Sequence, residues 1–280
     1  MAWIEFLVTP FRYPFMLRGL LAAVFTGVVC ATMGTYIVLR GMAFFGDALA
    51  HSILPGVAIG YLVTGGAKAP LFWWGTGTAI VASLSIGAVS KGAKVKEDTA
   101  IGIIFAGMFA LGIAIISTVQ SYTVDLTHFL FGDILGVSAR QLWLIGLFGG
   151  GIVLLVLAFY KEFLVLTFDP VLAATLRMPT TVLEYLQLIL IALTIAVSLQ
   201  TVGVALMVAM LVTPAATAYL LTKRLPIMMI LAATFASAAG VIGLYLSYYV
   251  NVASGPAIVL TATAFFVLAW LGKSIEARWG

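Results

Sequence analysis

Charge is scarce in this chain of 280 residues. Asp, Glu, Lys and Arg together make up 9% of it, whereas hydrophobic residues make up 63%. A soluble domain carries about 25% charged residues, and folding alone cannot hide so apolar a composition from water at this length. That excludes a water-soluble enzyme or binding module and points to lipid as the solvent. Cysteine is almost missing. The single Cys30 lies in an apolar run, which excludes an intrachain disulfide and any thiolate cluster and leaves it as a small packing residue. No Gly-x-x-x-x-Gly-Lys-[Ser/Thr] loop is present to hold a nucleotide phosphate. No Ser-His-Asp or paired-carboxylate arrangement suits hydrolysis. Met1–Tyr13 has no basic stretch ahead of a cleavable apolar core, so it is not read as a secretory signal.

What the chain has instead is apolar segments of membrane length, since a spanning helix needs roughly 20 apolar residues. They fall near Met16–Leu39, Met42–Val63, Ala69–Ser90, Thr99–Val119, Leu142–Tyr160, Thr181–Leu199, Gly203–Leu221, Pro226–Val250 and Ala257–Leu271. Lipid offers no partner for open backbone groups, so each is expected to be helical. The expectation is an all-α, multi-pass membrane protein with eight or nine transmembrane helices in one domain over residues 1–280.

The net charge of +4 does not imply a nucleic-acid partner, because the basic residues lie between apolar segments, where they set topology. Lys91, Lys94 and Lys96, then Lys161 with Arg177, Lys223 with Arg224, and Lys273 with Arg278 all fall on one side if the later segments each cross once. That side is the cytoplasm. The alternate connectors carry no Lys or Arg: Gln120–Val137 holds Asp125, His128 and Asp133, and Asn251–Gly255 is uncharged. At the start, Arg12 and Arg18 compete with Arg40, so either the N-terminus is outside or an early segment is re-entrant. A weak internal repeat lays Gly34–Asp47 on Gly203–Ala216, each a glycine, an apolar run, a break and a small-residue helix. Two small-residue pairs, Gly102 with Ala106 and Gly149 with Val153, suit helix packing.

The chemistry concentrates in Gly46 to Gly56. Asp47 and His51 are four residues apart, which puts both side chains on one helical face, one turn apart. Carboxylate and imidazole at that spacing can bind one divalent cation. Pro55 has no N–H for the His51 carbonyl, which predicts a kink and a free acceptor there. The alternative is that Asp47 caps a broken helix and His51 makes a packing hydrogen bond, but ionisable groups inside membrane segments usually line pathways. Two ligands are too few for a closed site. A two-fold homodimer would supply two aspartates and two histidines, a nitrogen and oxygen set that suits Mn(II), Fe(II) or Zn(II).

Other polar residues read more plainly. Asp125, His128 and Asp133 form an outer loop that is either solvated or a cation attractor. Glu184 complements a helix dipole. With no energy source in the chain, a separate ATPase is attractive, and Lys161–Pro179 is the only long cytoplasmic connector to receive it. There Asp169 and Pro170 fit an N-cap and first helical position, and Leu172, Ala173 and Leu176 make a short apolar face.

The sequence resembles the membrane permease of ABC-type importers for manganese, zinc or iron, roughly from Phe15 to Leu271. The resemblance rests on Val38 to Gly56, Glu97 to Phe105, Phe131 to Ser138, and Phe168-Asp169-Pro170. It implies a homodimeric permease of the cell (inner) membrane, with cytoplasmic ATPase subunits and an extracytoplasmic metal-binding protein. It also implies metal-ligand roles for Asp47 and His51, and an ATPase-coupling helix within residues 161–179 that uses Phe168, Asp169, Leu172 and Leu176. The metal is then a transported substrate and no cofactor is permanently bound. Leu54-Pro55-Gly56 looks like manganese-type members, so Mn(II) is expected before Zn(II) or Fe(II). One departure is Leu176-Arg177-Met178, where many relatives have Leu-Gly and an aliphatic residue. A passive cation channel, or a membrane scaffold with a structural metal, is the reading from a different class. A co-purifying ATPase discriminates against both.

Overall fold

The computed structural model describes residues 9–65, 68–118 and 134–279. Asp125, His128 and Asp133 lie outside the described residues. Twelve α-helices are present among them: α1 (Pro14–Leu39), α2 (Phe45–Ser52), α3 (Leu54–Thr64), α4 (Lys68–Gly92), α5 (Glu97–Ile116), α6 (Ala139–Ala158), α7 (Tyr160–Phe168), α8 (Pro170–Thr175), α9 (Thr180–Val202), α10 (Val204–Leu221), α11 (Leu225–Val250) and α12 (Ser254–Trp279). Taking α2 with α3 as one segment, nine are long and apolar enough to cross a membrane. The all-α, multi-pass reading holds, at the upper of the two expected counts.

The chain packs as two compact units. One comprises Met1–Val38, Leu126–Val153 and Ser198–Gly280. In it α10, α11 and α12 pack on one another, and small residues let backbones approach closely. A Cβ on Gly34 of α1 would come within 1.8 Å of the Leu211 carbonyl oxygen of α10, and one on Gly243 of α11 within 2.5 Å of the Ile258 Cα of α12. Gly149 packs as expected, since a Cβ there would meet Val29 at 2.5 Å. Cys30 is buried, and its thiol donates to Ser198 Oγ at 3.2 Å. The proposed repeat finds no structural counterpart. Gly34 is mid-helix, whereas Gly203, at φ 80°, separates α9 from α10, and Pro214 sits inside an unbroken α10. Apolar character alone produced that match.

The other unit comprises Leu39–Asp125 and Leu154–Val197. Here α3, α4 and α5 pack mutually, and α2 packs on α4 and α5. The pair Gly102 and Ala106 is not used for packing among the described residues: a Cβ on Gly102 meets nothing within 4 Å and Ala106 is exposed. Glu184 does more than face a helix dipole. It pairs with Lys91, whose ammonium also stands 5.5 Å from the Tyr185 ring centroid.

Ion pairs gather several helix ends of this unit. Arg40, just past α1, pairs with Glu97 in the first turn of α5 and hydrogen-bonds Gln187 of α9, so these ends share one side with Lys91 and Glu184. The far end of the 25-residue α4 is ~36 Å away. At the other end of α3, Gly65 caps the helix at φ 62°. The α2–α3 segment starts beside Arg40 and, taken as one, is long and apolar enough to cross a membrane. Within this unit Arg40 thus lies at the same end as Lys91.

Candidate functional site

Pro55 shapes the site locally. It occupies the first turn of α3, where a missing N–H costs least, and the helical run breaks at Ile53. Gly56 and Val57 both donate to the Ile53 carbonyl, at 3.1 and 3.2 Å, restarting the helix one step on. The free acceptor expected at His51 is not found, because the Ile53 N–H is directed at the His51 carbonyl. The break is real, but the chain satisfies it with a local donor, as backbone groups at membrane depth must be satisfied.

In α2 only Asp47 and His51 escape burial. Phe45, Ala48 and Leu49 are fully covered, and Ser52 is buried with its hydroxyl bonded to the Ala48 carbonyl at 2.8 Å. The helix is therefore locked on its apolar sides, and its remaining face presents the carboxylate and the imidazole. His51 Nε2 lies 3.7 Å from Asp47 Oδ1, with the side chains 24% and 38% exposed respectively. That is too long for a good hydrogen bond. Two donors that share one cation at bond lengths of about 2.1 Å stand about 3.4 Å apart at a tetrahedral angle, so a small rotation would let both reach one ion. Capping does not explain Asp47: the residue before α2 is Phe44, and no side chain caps the helix.

The imidazole rests on an aromatic shelf that the sequence reading missed. His51 lies edge-on to Phe109 at 5.6 Å and 6.1 Å from Phe105, and these two rings stack at 5.8 Å. Phe44 meets Phe105 edge-to-face at 5.7 Å. Both shelf residues are on α5, roughly 12–18 Å along it from Glu97, near the middle of this 20-residue helix. Phe105 was in view at the end of the Glu97 motif, but only contact with α2 reveals its use. No group of three or more His, Cys, Asp or Glu residues gathers among the described residues, so the pair remains two ligands.

The connector residues are also in place. Asp169 caps α8, its carboxylate accepting from the Leu172 N–H at 2.9 Å, and Pro170 opens the helix. Phe168, Leu172 and Leu176 are exposed, but Ala173 is buried, and Val171, 76% exposed, stands outside in its stead. The 100° turn per residue puts Ala173 opposite Val171. The helix ends with Arg177 at φ 55°.

The profile of the ABC 3 transport family matches residues 12–273. The chain is similar to the manganese transport system membrane protein MntC of Halalkalibacterium halodurans, with 45% identity over 261 residues that cover 92% of this chain and 87% of that one. It is 38% identical over 267 residues to the chelated iron transport system membrane protein YfeD of Yersinia pestis, covering 95% and 88% of the two chains. Among solved structures, PsaBC from Streptococcus pneumoniae in complex with Fab superposes with a TM-score of 0.80 at 38% identity, covering 95% of each chain. The chain belongs to the ABC 3 transport family, as a multi-pass membrane permease subunit of an ABC transporter whose ATPase is a separate chain.

Proposed function

We propose that this permease imports a divalent transition-metal ion, Mn(II) before Zn(II) or Fe(II), past Asp47 and His51. The observation that carries the reading is the α2 face on which these two side chains alone are uncovered, 3.7 Å apart. Relatives named for manganese and for iron transport support the class of substrate. Asp47 offsets the charge of an ion stripped of water in a low-dielectric layer, where an uncompensated cation is very costly. His51 supplies a nitrogen donor in place of a water. A second copy of the chain would contribute the same pair across a two-fold axis, giving a set of two carboxylates and two imidazoles. Cytoplasmic ATPase subunits would dock on the exposed Phe168, Val171, Leu172 and Leu176 around α8, and an extracytoplasmic metal-binding protein would deliver the ion.

By the usual transition-metal order, Zn(II) binds such donors more tightly than Mn(II). A transporter must also release its cargo, so Zn(II) is expected to be a poor substrate and an inhibitor. The test is ATP-dependent Mn(II) uptake into liposomes holding the complete complex, with Zn(II) as competitor. Rapid Zn(II) uptake at the expense of Mn(II) keeps the site and overturns the choice of metal. Metal flux without ATP points to a channel and rejects the importer.

A further inference from the structure

We propose that Arg40 is a positioning residue that carries movement of the coupling segment to the helix bearing Asp47 and His51. The proposal rests on the coupling role given above to Pro170–Thr175. Arg40 stands where three elements meet. Its guanidinium donates to Gln187 Oε1 of α9 at 2.9 Å and pairs with Glu97 of α5, while its own backbone leads into α2. Its side chain is only 15% exposed. Gln187 is fully buried, and its amide nitrogen has no partner among the described residues, so the Arg40 bond is what fixes that side chain. Arginine suits the post, because a planar fork can hold two acceptors at once in fixed geometry.

The input side is stiff. The chain between α8 and α9 is short and bonded: the Arg177 N–H donates to the Ala174 carbonyl at 3.0 Å, Met178 to Ala173 at 3.1 Å, and Leu183 to Pro179 at 3.0 Å. The first turns of α9 are then tied to α4 through the Lys91–Glu184 pair and through Ser83 Oγ, which donates to the Leu188 carbonyl at 2.8 Å. A push on α8 therefore reaches Gln187 as displacement of α9 and not as bending of a loop.

The output side is equally direct. Met42 and Phe45 are buried to 1% and 0% exposure, and the Phe45 N–H bonds the Met42 carbonyl at 2.9 Å. The few residues between Arg40 and α2 are therefore anchored, with Gly41 at φ 71° making the turn. Through Glu97, Arg40 also holds the start of α5, whose Phe105 and Phe109 touch His51. One side chain thus links the segment facing the ATPase to both walls of the proposed metal site.

The test uses the complete complex in liposomes, with ATP hydrolysis and Mn(II) uptake read together. For Arg40→Gln, hydrolysis is expected to stay within about twofold of wild type while metal moved per ATP falls about tenfold, a normal size for an allosteric coupling. Glu97→Gln, at a more exposed partner, is expected to show the same split to a smaller degree. Exchanging the charges, with Arg40→Glu and Glu97→Arg together, is expected to recover at least roughly half of the wild-type ratio. An unchanged ratio in Arg40→Gln overturns the proposal. So does a fall in hydrolysis and uptake in equal measure, which marks a merely structural ion pair. Phe168→Glu in the same assay separates the two claims: a wild-type ratio there rejects the coupling segment itself, and the relay loses its input.

Discussion

Arg177 holds a backbone conformation, φ 55°, that costs an L-residue roughly 1–2 kcal/mol and glycine almost nothing. The family resemblance implies glycine at this position, and a left-handed residue just past α8 is where glycine fits without strain. Arg177→Gly is expected to stabilise the solubilised permease by about 0.5–1 kcal/mol, the relieved strain less the added freedom of the unfolded chain. Arg177→Ala keeps the Cβ and is expected to give no gain. Thermal unfolding in detergent reads both, and a lower melting temperature for the glycine variant would mean that the arginine side chain makes a contact worth more than the strain. At this scale Asp47 and His51 were legible, because an acid and a histidine one turn apart stand out in an apolar segment. Arg40 and Glu97 were equally visible as letters, but read only as topology and motif. Their pairing joins positions far apart in sequence, and no local pattern records it.

Among the elements, most helix positions were read to within a few residues, since apolar length and turn residues mark them directly, but α12 runs eight residues past the expected end at Leu271, to Trp279. The break between α2 and α3 was legible from Pro55, but its hydrogen bonding was not, because the Ile53 N–H took up the acceptor that Pro55 left. In α8 the cap and first position were readable from Asp169-Pro170. Which apolar residues face outward was not, since a six-residue helix shows no full period. The exposed group of Phe168, Val171 and Leu172 is expected to be the ATPase contact. Phe168→Glu or Leu172→Glu should leave the chain inserted in the membrane yet lower metal uptake per ATP about tenfold, as a charge facing an apolar pocket costs several kcal/mol. Cross-linking the ATPase instead to the connector around Gln120 would reverse the topology and discard this assignment.

For the molecule as a whole, composition alone established a multi-pass membrane protein, and the family match confirms it along residues 12–273. In the unit of Leu39–Asp125 and Leu154–Val197, the Arg40–Glu97 pair brings two helix ends together, which hydropathy could not show. Among the described residues no group of three or more candidate ligands gathers, so the proposed site is expected to need a second copy. The most direct measurement is ATP-driven Mn(II) uptake by the reconstituted complex carrying Asp47→Ala or His51→Ala, alongside its ATP hydrolysis and its assembly with the ATPase. Both variants are expected to assemble and insert normally, because both side chains are partly exposed and the packing lost is only that of His51 on Phe105 and Phe109, and to lose uptake by about a hundredfold or more, as removing a ligand from a desolvated cation costs several kcal/mol. Near-normal uptake in either variant would contradict the account and remove that residue from the metal's path.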